Sequence, residues 1–300
     1  MNRFDEIVLD SMQDSWVMLY GFLAKQLMDE GGFQGEIAVR EATRRFGRDR
    51  GLANRKRLVD NNIKVNLLTL FKEGRDRPGE SRFICYNTYQ SEQDFSVCTH
   101  ICSLADVWKK YGLKRYGRIY CEEFHIADYE AFGFGATKVN LARTLTQDGD
   151  DRCIFNHTLR PENMSEDIRK LCFAEYDKEY EKPTVEMPKP QGKSGFAMLW
   201  IKTYYYMLEC AVEQLGDLGR TIVGNGLRTT AHEQAKAFLE EAEATERVVD
   251  EEYLAKHLSI DLQPEKDELW STYNQYGALK LVKDCFYAPL LQELHLEINK

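Results

Sequence analysis

The sequence lacks the features that define several classes of protein. None of its 300 residues belong to an apolar run of about 18 to 20 residues, the length that spans a membrane. It has only 8 cysteines and 7 prolines, too few for a disulfide scaffold or a low-complexity chain. With 43% hydrophobic and 30% charged residues, the composition is that of a globular protein with an ordinary core.

Positive charge is also scarce. Forty Lys and Arg residues stand against 49 Asp and Glu, a formal net charge of −9 that repels nucleic acid at long range. The main basic stretch, residues 40–57, has apolar residues interleaved at helical spacing, which indicates one solvated face of a helix. The first residues contain no apolar segment followed by a cleavage site. We therefore expect a cytoplasmic protein that binds neither nucleic acid nor membranes.

The hydrophobic pattern predicts an α+β fold, with N-terminal helices followed by a small antiparallel sheet. Apolar residues recur at helical spacing in residues 6–30, 35–59, 99–111 and 120–132. Gly31 and Gly32 separate the first two helices. Residues 82–98 indicate two short strands, and residues 137–159 indicate a β-hairpin around Asp148-Gly149-Asp150.

Two parts of the chain also resemble each other in sequence. A proline-containing segment, residues 183–196, divides a module at 1–182 from a mostly helical region at 197–300. Five residues recur 184 positions later: Trp16, Tyr20, Gly35, Val39 and Arg44 match Trp200, Tyr204, Gly219, Val223 and Arg228. Five more recur after 187 positions: Tyr86, Asn87, Tyr89, Cys98 and Leu104 match Tyr273, Asn274, Tyr276, Cys285 and Leu291. We expect a diverged, incomplete second copy that packs on the first, in a monomer or homodimer.

Cysteine and histidine form pairs at i, i+4 spacing. The pairs are Cys98 with Cys102, Cys121 with His125, and Cys153 with His157. This spacing places both side chains on one face of a helix or a strand. Three interpretations follow: a zinc site, a thiolate activated by an imidazole, or small buried core side chains. For Cys98 and Cys102, which are followed by Leu104, Val107 and Trp108 on a short helix, the core interpretation is favoured.

The hairpin adds charged groups to these pairs. Arg143 has the planar guanidinium that holds a carboxylate, and Asp150 or Asp151 could act as a base or orient one. The alternative for the acidic residues is a solvated turn.

Together these residues resemble the L-2-amino-thiazoline-4-carboxylic acid hydrolase family over residues 10–160. The matching motifs are Ala42-x-x-Arg45-Phe46-Gly47, Cys98, Trp108, Tyr111-Gly112-Leu113, Tyr120-Cys121 and Arg143-Thr144-Leu145-Thr146 followed by Gly149-Asp150-Asp151-x-Cys153. The resemblance implies an α+β domain that opens a cyclic amidine to N-carbamoyl-cysteine. It also implies six site residues: Cys98, Cys121, Arg143, Thr144, Asp150 and Cys153. His125 stands where the family often has an acid.

These observations lead to one expected function and two alternatives. We expect a hydrolase that opens a C–N bond in a small cyclic amidine or thiazoline carboxylate, without a cofactor or resident metal. The expected catalytic residues are Cys121, His125, Asp150 and Cys153, and the expected substrate-binding residues are Cys98, Arg143, Thr144 and His157. His125 would be the base, and expulsion of the ring nitrogen would need a proton donor. The alternatives are a non-catalytic small-molecule sensor and a protein that binds zinc or an iron–sulfur cluster through its cysteines.

Overall fold

The computed structural model of the protein describes residues 3–74, 82–184 and 193–297. Within them the fold is α+β, as the sequence predicts. The helices are α1 (Arg3–Asp60), α2 (Leu67–Thr69), α3 (Ser103–Lys110), α4 (Lys114–Ile119), α5 (His125–Phe132), α6 (Glu166–Cys172), α7 (Lys193–Leu215), α8 (Asp217–Ala244), α9 (Glu251–His257), α10 (Glu268–Thr272), α11 (Ala278–Val282) and α12 (Ala288–Glu293). π-Helical turns follow α2, α4 and α11, at Leu70–Gly74, Tyr120–Phe124 and Lys283–Tyr287. The strands are β1 (Ile84–Gln90), β2 (Asp94–Ile101), β3 (Thr137–Arg143) and β4 (Cys153–Leu159).

Helix α1 is broken at Gly32. This residue has φ 56° and ψ −136°, a conformation open to glycine but costly for other residues. A Cβ atom on Gly35 would lie 1.8 Å from the carbonyl oxygen of Leu27. In a straight helix, residues eight apart are separated by about 12 Å. The chain therefore folds back at Gly32 into two helical arms, as the sequence predicts.

The strands form one antiparallel sheet in the order β1-β2-β4-β3. The two strands predicted near residues 82–98 are present and pair with each other as β1 and β2. The predicted hairpin is confirmed by the pairing of β3 with β4. All seven residues of β1 are exposed, whereas both ends of β4, Cys153 and Leu159, are buried. Strand β4 thus packs toward the helices, and strand β1 faces solvent.

One predicted helix begins later than expected. Residues 99–101 extend β2, and the helix begins only at Ser103. Cys98 therefore lies on a strand, and Cys102 precedes α3 at its N-cap. The prediction of a helix from residue 99 is wrong, because the sheet continues through three residues whose spacing is also compatible with a helix.

The C-terminal helices pack on α1. The Trp16 indole Nε1 donates a buried hydrogen bond to Thr203 Oγ1 at 2.9 Å. Arg45 forms an ion pair with Glu209 at 2.7 Å, and Lys202 forms one with Asp49 at 2.5 Å. Apolar side chains of both regions belong to one continuous core.

The predicted boundary between the two regions is only partly described. Of the predicted linker, residues 185–192 lie outside the described residues, and α7 begins inside it, at Lys193. The division into two modules stays a prediction. None of the helices in the described ranges has the length and apolar character that a membrane crossing requires.

Candidate functional site

A cavity of about 160 Å³ lies between α1, α5, the inner face of the sheet and α7. Its walls are largely aromatic, and the polar or ionisable side chains on them are Gln13, Arg50, Thr99, Cys102, Tyr120, Cys121, His125, Asp128, Tyr129, Cys153 and His157, together with Cys85. An apolar cavity of about 150 Å³ in another protein accepts benzene. The cavity therefore has the size of one small ring.

Four of the eight predicted site residues line this cavity. Cys121 and His125 reach it from the segment that joins α4 to α5, and Cys153 and His157 reach it from β4. The Tyr129 and His157 rings, 4.4 Å apart, connect the two elements. The structure thus brings together the two i, i+4 pairs that the sequence analysis treated separately.

The other four predicted site residues, Cys98, Arg143, Thr144 and Asp150, are not among the residues that line the cavity. Arg143 is half-exposed and lies 3.5 Å from Asp151 in an ion pair. Cys98 lies 3.4 Å from His100 Nε2 on the exposed side of β2. Neither side chain is placed to contact a ligand in the cavity, because each lies on a solvent-facing part of its strand.

Thr144 and Asp150 have a structural position behind the cavity. The Asp150 carboxylate accepts a hydrogen bond from the backbone N–H of Thr144 at 3.0 Å and so closes the hairpin turn. The Leu145 N–H donates to Cys153 Sγ at 3.3 Å, and Thr144 Oγ1 lies 3.8 Å from the same sulfur. These contacts fix the Cys153 thiol, which itself lines the cavity.

Three thiols of the cavity, those of Cys102, Cys121 and Cys153, are held in their neutral form. Burial, and after it the neighbouring Cys153 thiol, raises the pKa of Cys121 to about 11. Burial likewise raises the pKa of Cys153 and of Cys102. A thiolate activated by an imidazole requires the opposite shift. The structure therefore does not support a resting thiolate at Cys121, because desolvation outweighs the hydrogen bonds from Thr144 and Thr146 that act against it.

His157 is held in a defined orientation on β4. Its side chain is buried, and its Nδ1 lies 2.9 Å from the carbonyl oxygen of Phe95 on β2. A carbonyl only accepts hydrogen bonds, so Nδ1 carries the proton, and in the neutral ring Nε2 carries the lone pair. The β-sheet thus fixes both the position and the tautomer of this imidazole.

His125 also lies among aromatic rings. Its ring centroid is 4.8 Å from that of Phe155 and 5.8 Å from that of Tyr120. Asp128 follows on the same helix at i+3, is buried and also lines the cavity. The cavity therefore contains two imidazoles and one carboxyl group from neighbouring elements.

Arg50, which is not among the site residues expected from the sequence, brings a guanidinium to the cavity. It lies between Gly47 and Gly51, where α1 meets α5 closely. A Cβ atom would lie 2.5 Å from the Phe124 carbonyl oxygen at Gly47 and 2.1 Å from that of Asp128 at Gly51. The two glycines at i, i+4 were the available signal for this close approach. Arg50 could not be singled out by this signal alone, because the arginines around it indicate a solvated helix face.

The described part of the chain contains no group of three or more His, Cys, Asp or Glu side chains arranged to hold a metal ion. The alternative of a zinc or iron–sulfur site has no ligand set in these residues. The Cys153 thiol instead lies beside the Thr144 hydroxyl.

Comparison with known proteins connects the cavity to a family. Searches of curated proteins and of solved structures found no significant match. Residues 16–157 match the family described as L-2-amino-thiazoline-4-carboxylic acid hydrolase. This segment contains Arg50, Asp128, both imidazoles and the cavity thiols, whereas Phe196 and Leu199, which also line the cavity, lie beyond it. The N-terminal region that carries the ionisable groups of the cavity is thus similar to a family named for hydrolysis.

Proposed function

We propose that this protein hydrolyses a small cyclic amidine that carries a carboxylate, of the 2-amino-thiazoline type. The observation that carries the proposal is the convergence of His125, His157, Asp128 and Arg50 on one ring-sized cavity. That convergence falls inside the segment that matches the hydrolase family. Hydrolysis of an amidine needs a base, a proton donor and a group that holds the substrate.

The cavity suits a planar, anionic ring. Aromatic side chains such as Tyr120 and Phe155 provide flat apolar walls, and the volume of about 160 Å³ limits the ligand to one ring with small substituents. Arg50 supplies the cation for the carboxylate, and its planar guanidinium allows two parallel hydrogen bonds. In this role Arg50 replaces Arg143, the residue expected from the sequence.

In the proposed reaction, His157 Nε2 accepts a proton from water while the water oxygen bonds to the amidine carbon. Its fixed tautomer favours this role, because Nδ1 is committed to the Phe95 carbonyl. The attack places negative charge on the amidine nitrogens as the C=N bond becomes single. Protonated His125, with Asp128 one turn further along α5, then donates a proton to the leaving atom.

The bond that breaks depends on the ring. In a 2-amino-thiazoline, the tetrahedral carbon carries the ring sulfur, the ring nitrogen, the amino group and the new oxygen. Cleavage of its C–S bond gives a thiol and an N-carbamoyl product, whereas cleavage of the C–N bond gives a thiocarbamate. The C–N cleavage expected from the sequence therefore applies to rings in which both ring atoms bonded to the amidine carbon are nitrogen. For a thiazoline, the N-carbamoyl product requires the sulfur to leave.

The proposal is tested by incubating the protein with 2-amino-thiazoline-4-carboxylate and matched cyclic amidine carboxylates, followed by mass spectrometry. The expected product has the mass of the substrate plus one water. A set of substrates that all remain intact at high protein concentration would contradict the proposal.

A second candidate is a non-catalytic sensor that binds the same class of ligand. The raised pKa values of Cys102, Cys121 and Cys153 favour it, since none of these three thiols is held as an activated nucleophile. Ligand-dependent thermal stabilisation without any product would favour the sensor, and product formation would favour the hydrolase.

A further inference from the structure

Two helical segments of the chain, 184 residues apart, are broken in the same way. Gly32 interrupts α1 with φ 56° and ψ −136°. Gly216 separates α7 from α8 with φ 60° and ψ −136°. This combination lies outside the regions that other residues occupy. The same backbone conformation recurs after 184 positions, the shift that relates Trp16 to Trp200. This recurrence is an observation independent of the side-chain matches.

The two breaks also fold the chain back with the same contact. Three residues after each break, a Cβ atom would collide with a carbonyl oxygen eight residues earlier. For Gly35 that oxygen belongs to Leu27, at 1.8 Å, and for Gly219 it belongs to Ala211, at 2.1 Å. Both glycines and both carbonyls are related by the same 184 positions. The two helical hairpins therefore have the same internal packing.

Each helical hairpin packs two of its aromatic side chains against two from the segments that follow it. The N-terminal group is Trp16, Tyr20, Trp108 and Tyr120, and the C-terminal group is Trp200, Tyr204, Trp270 and Phe286, all buried. Tyr20 contacts Trp108 at 5.7 Å, and Tyr204 contacts Trp270 at 6.0 Å between ring centroids. Trp16 contacts Tyr120, and Trp200 contacts Phe286, each an aromatic residue of a π turn.

The two regions also correspond beyond the helical hairpins, but with an alignment that differs from the shift of 187 residues inferred from the sequence. Tyr111-Gly112 and Tyr276-Gly277 are equivalent, with glycine φ values of 68° and 66°, and each precedes a short helix and a π turn. The matches at a shift of 187 residues are wrong, because Tyr86 lies on β1 whereas Tyr273 follows α10. Cys98 therefore has no counterpart in Cys285, which lies in a π turn.

We propose that residues 193–297 are a copy of the N-terminal helical framework without its sheet, and that helix α7 of this copy closes the cavity and limits the size of its ligand. Phe196 and Leu199, at i, i+3 on α7, are the residues that line the cavity from this side. Both are buried, at 1% and 6% exposure. In a symmetric dimer of complete copies, this wall would come from the partner subunit.

Contacts along α7 hold this wall in place. The hydrogen bond from Trp16 to Thr203 and the ion pair from Lys202 to Asp49 join α7 to both arms of α1. The wall therefore belongs to a rigid helix rather than to a loop, and a side chain that is shortened there leaves space. The proposal depends on the proposed function only in taking the cavity as the ligand site.

The test compares two rigid carboxylates that cannot be hydrolysed at an amidine: pyrrole-2-carboxylate, with one ring, and indole-2-carboxylate, with two fused rings. Their dissociation constants are measured by calorimetry for the unaltered protein and for Phe196→Ala, Phe196→Leu and Leu199→Ala. We expect the ratio of the indole constant to the pyrrole constant to fall by about tenfold or more in Phe196→Ala. Phe196→Leu, which retains most of the buried volume, should give a smaller fall in the same direction.

The matched control is Phe238→Ala. Phe238 is fully buried in α8 against Tyr253 and does not line the cavity, so this variant should keep the original ratio. The proposal is overturned by an unchanged ratio in both Phe196 variants, by an equal change in Phe238→Ala, or by an unaltered protein that binds neither carboxylate. If the ratio shifts but no cyclic amidine is hydrolysed, the wall is supported and the proposed reaction fails.

Discussion

At the scale of single residues, the positive charge of the site comes from α1 and not from the hairpin, where the sequence predicts it. Arg143 and Arg50 have the same chemistry, but only Arg50 lines the cavity. A local pattern cannot distinguish them, because exposure depends on elements far away in the chain. Arg143 lies on a strand whose last residues face solvent, whereas Arg50 lies at a helix contact made possible by two glycines.

This difference gives a paired prediction. Arg50→Met should weaken binding of a carboxylate ligand by about ten- to a hundredfold, the loss of a charge-assisted hydrogen bond of about 1.5 to 3 kcal/mol. Arg143→Met should leave the affinity unchanged. Calorimetric titration with pyrrole-2-carboxylate measures both variants under one condition. The reverse order of effects would return the anchoring role to the hairpin.

The proposed role of His157 as the general base is also tested with a matched pair of variants. His157→Gln should lower turnover of the amidine substrate by about a hundredfold or more, because removal of a general base usually costs that much. His100→Gln is the matched control, since His100 is exposed on β2 and does not line the cavity. Initial rates and circular dichroism of both variants distinguish lost catalysis from lost folding. Equal rates for the two variants would exclude His157 as the base.

The cavity thiols predict a characteristic pH dependence. With a pKa of about 11, on the order of one Cys121 thiol in ten thousand is ionised at pH 7. Because only the thiolate reacts, alkylation of Cys121 by iodoacetamide in the folded protein should rise about tenfold per pH unit up to about pH 10. The exposed Cys85 should react first, as peptide mass spectrometry can show. Rapid, pH-independent labelling of Cys121 near neutral pH would indicate an activated nucleophile.

At the scale of elements, local patterns predicted most of the secondary structure. The break at Gly32 and the hairpin around Gly149 were predictable because each rests on a residue with positive φ in a short span. The end of β2 was not, since residues 99–101 are kept in the sheet by pairing with β1 and β4 across long sequence distances. Tertiary pairing outweighed local helical spacing there.

The contact between α1 and α5 positions Arg50 and can be tested directly. Gly51→Ala would place a Cβ atom 2.1 Å from the Asp128 carbonyl oxygen, so the helices must separate. We expect a loss of about 1 to 3 kcal/mol in the free energy of unfolding and weaker carboxylate binding. Gly31→Ala is the control, because its Cβ would meet the flexible end of Leu215 first, at 3.0 Å. Urea unfolding of both variants measures the difference, and equal stability would contradict the close contact.

At the scale of the whole molecule, the cavity is assembled from several separate parts of the sequence, among them α1, the segment from α4 to α5, the sheet and α7. Spacing within a segment identified Cys121, His125, Cys153 and His157 as groups of interest. It could not show that the two pairs face one another, nor that Phe196 joins them from a helix beyond the matched family segment. The first fact depends on how α5 packs against the sheet, and the second on how α7 packs on α1.

The central claim, that water adds to an amidine carbon in this cavity, is tested most directly in heavy-oxygen water. The protein is incubated with 2-amino-thiazoline-4-carboxylate, and the product is analysed by mass spectrometry. We predict a ring-opened product with one labelled oxygen in its carbamoyl group. The unaltered protein and His100→Gln should form it at similar rates, and His157→Gln at a rate lower by about a hundredfold or more. Substrate that remains intact, or labelled product formed equally by His157→Gln, would contradict the account.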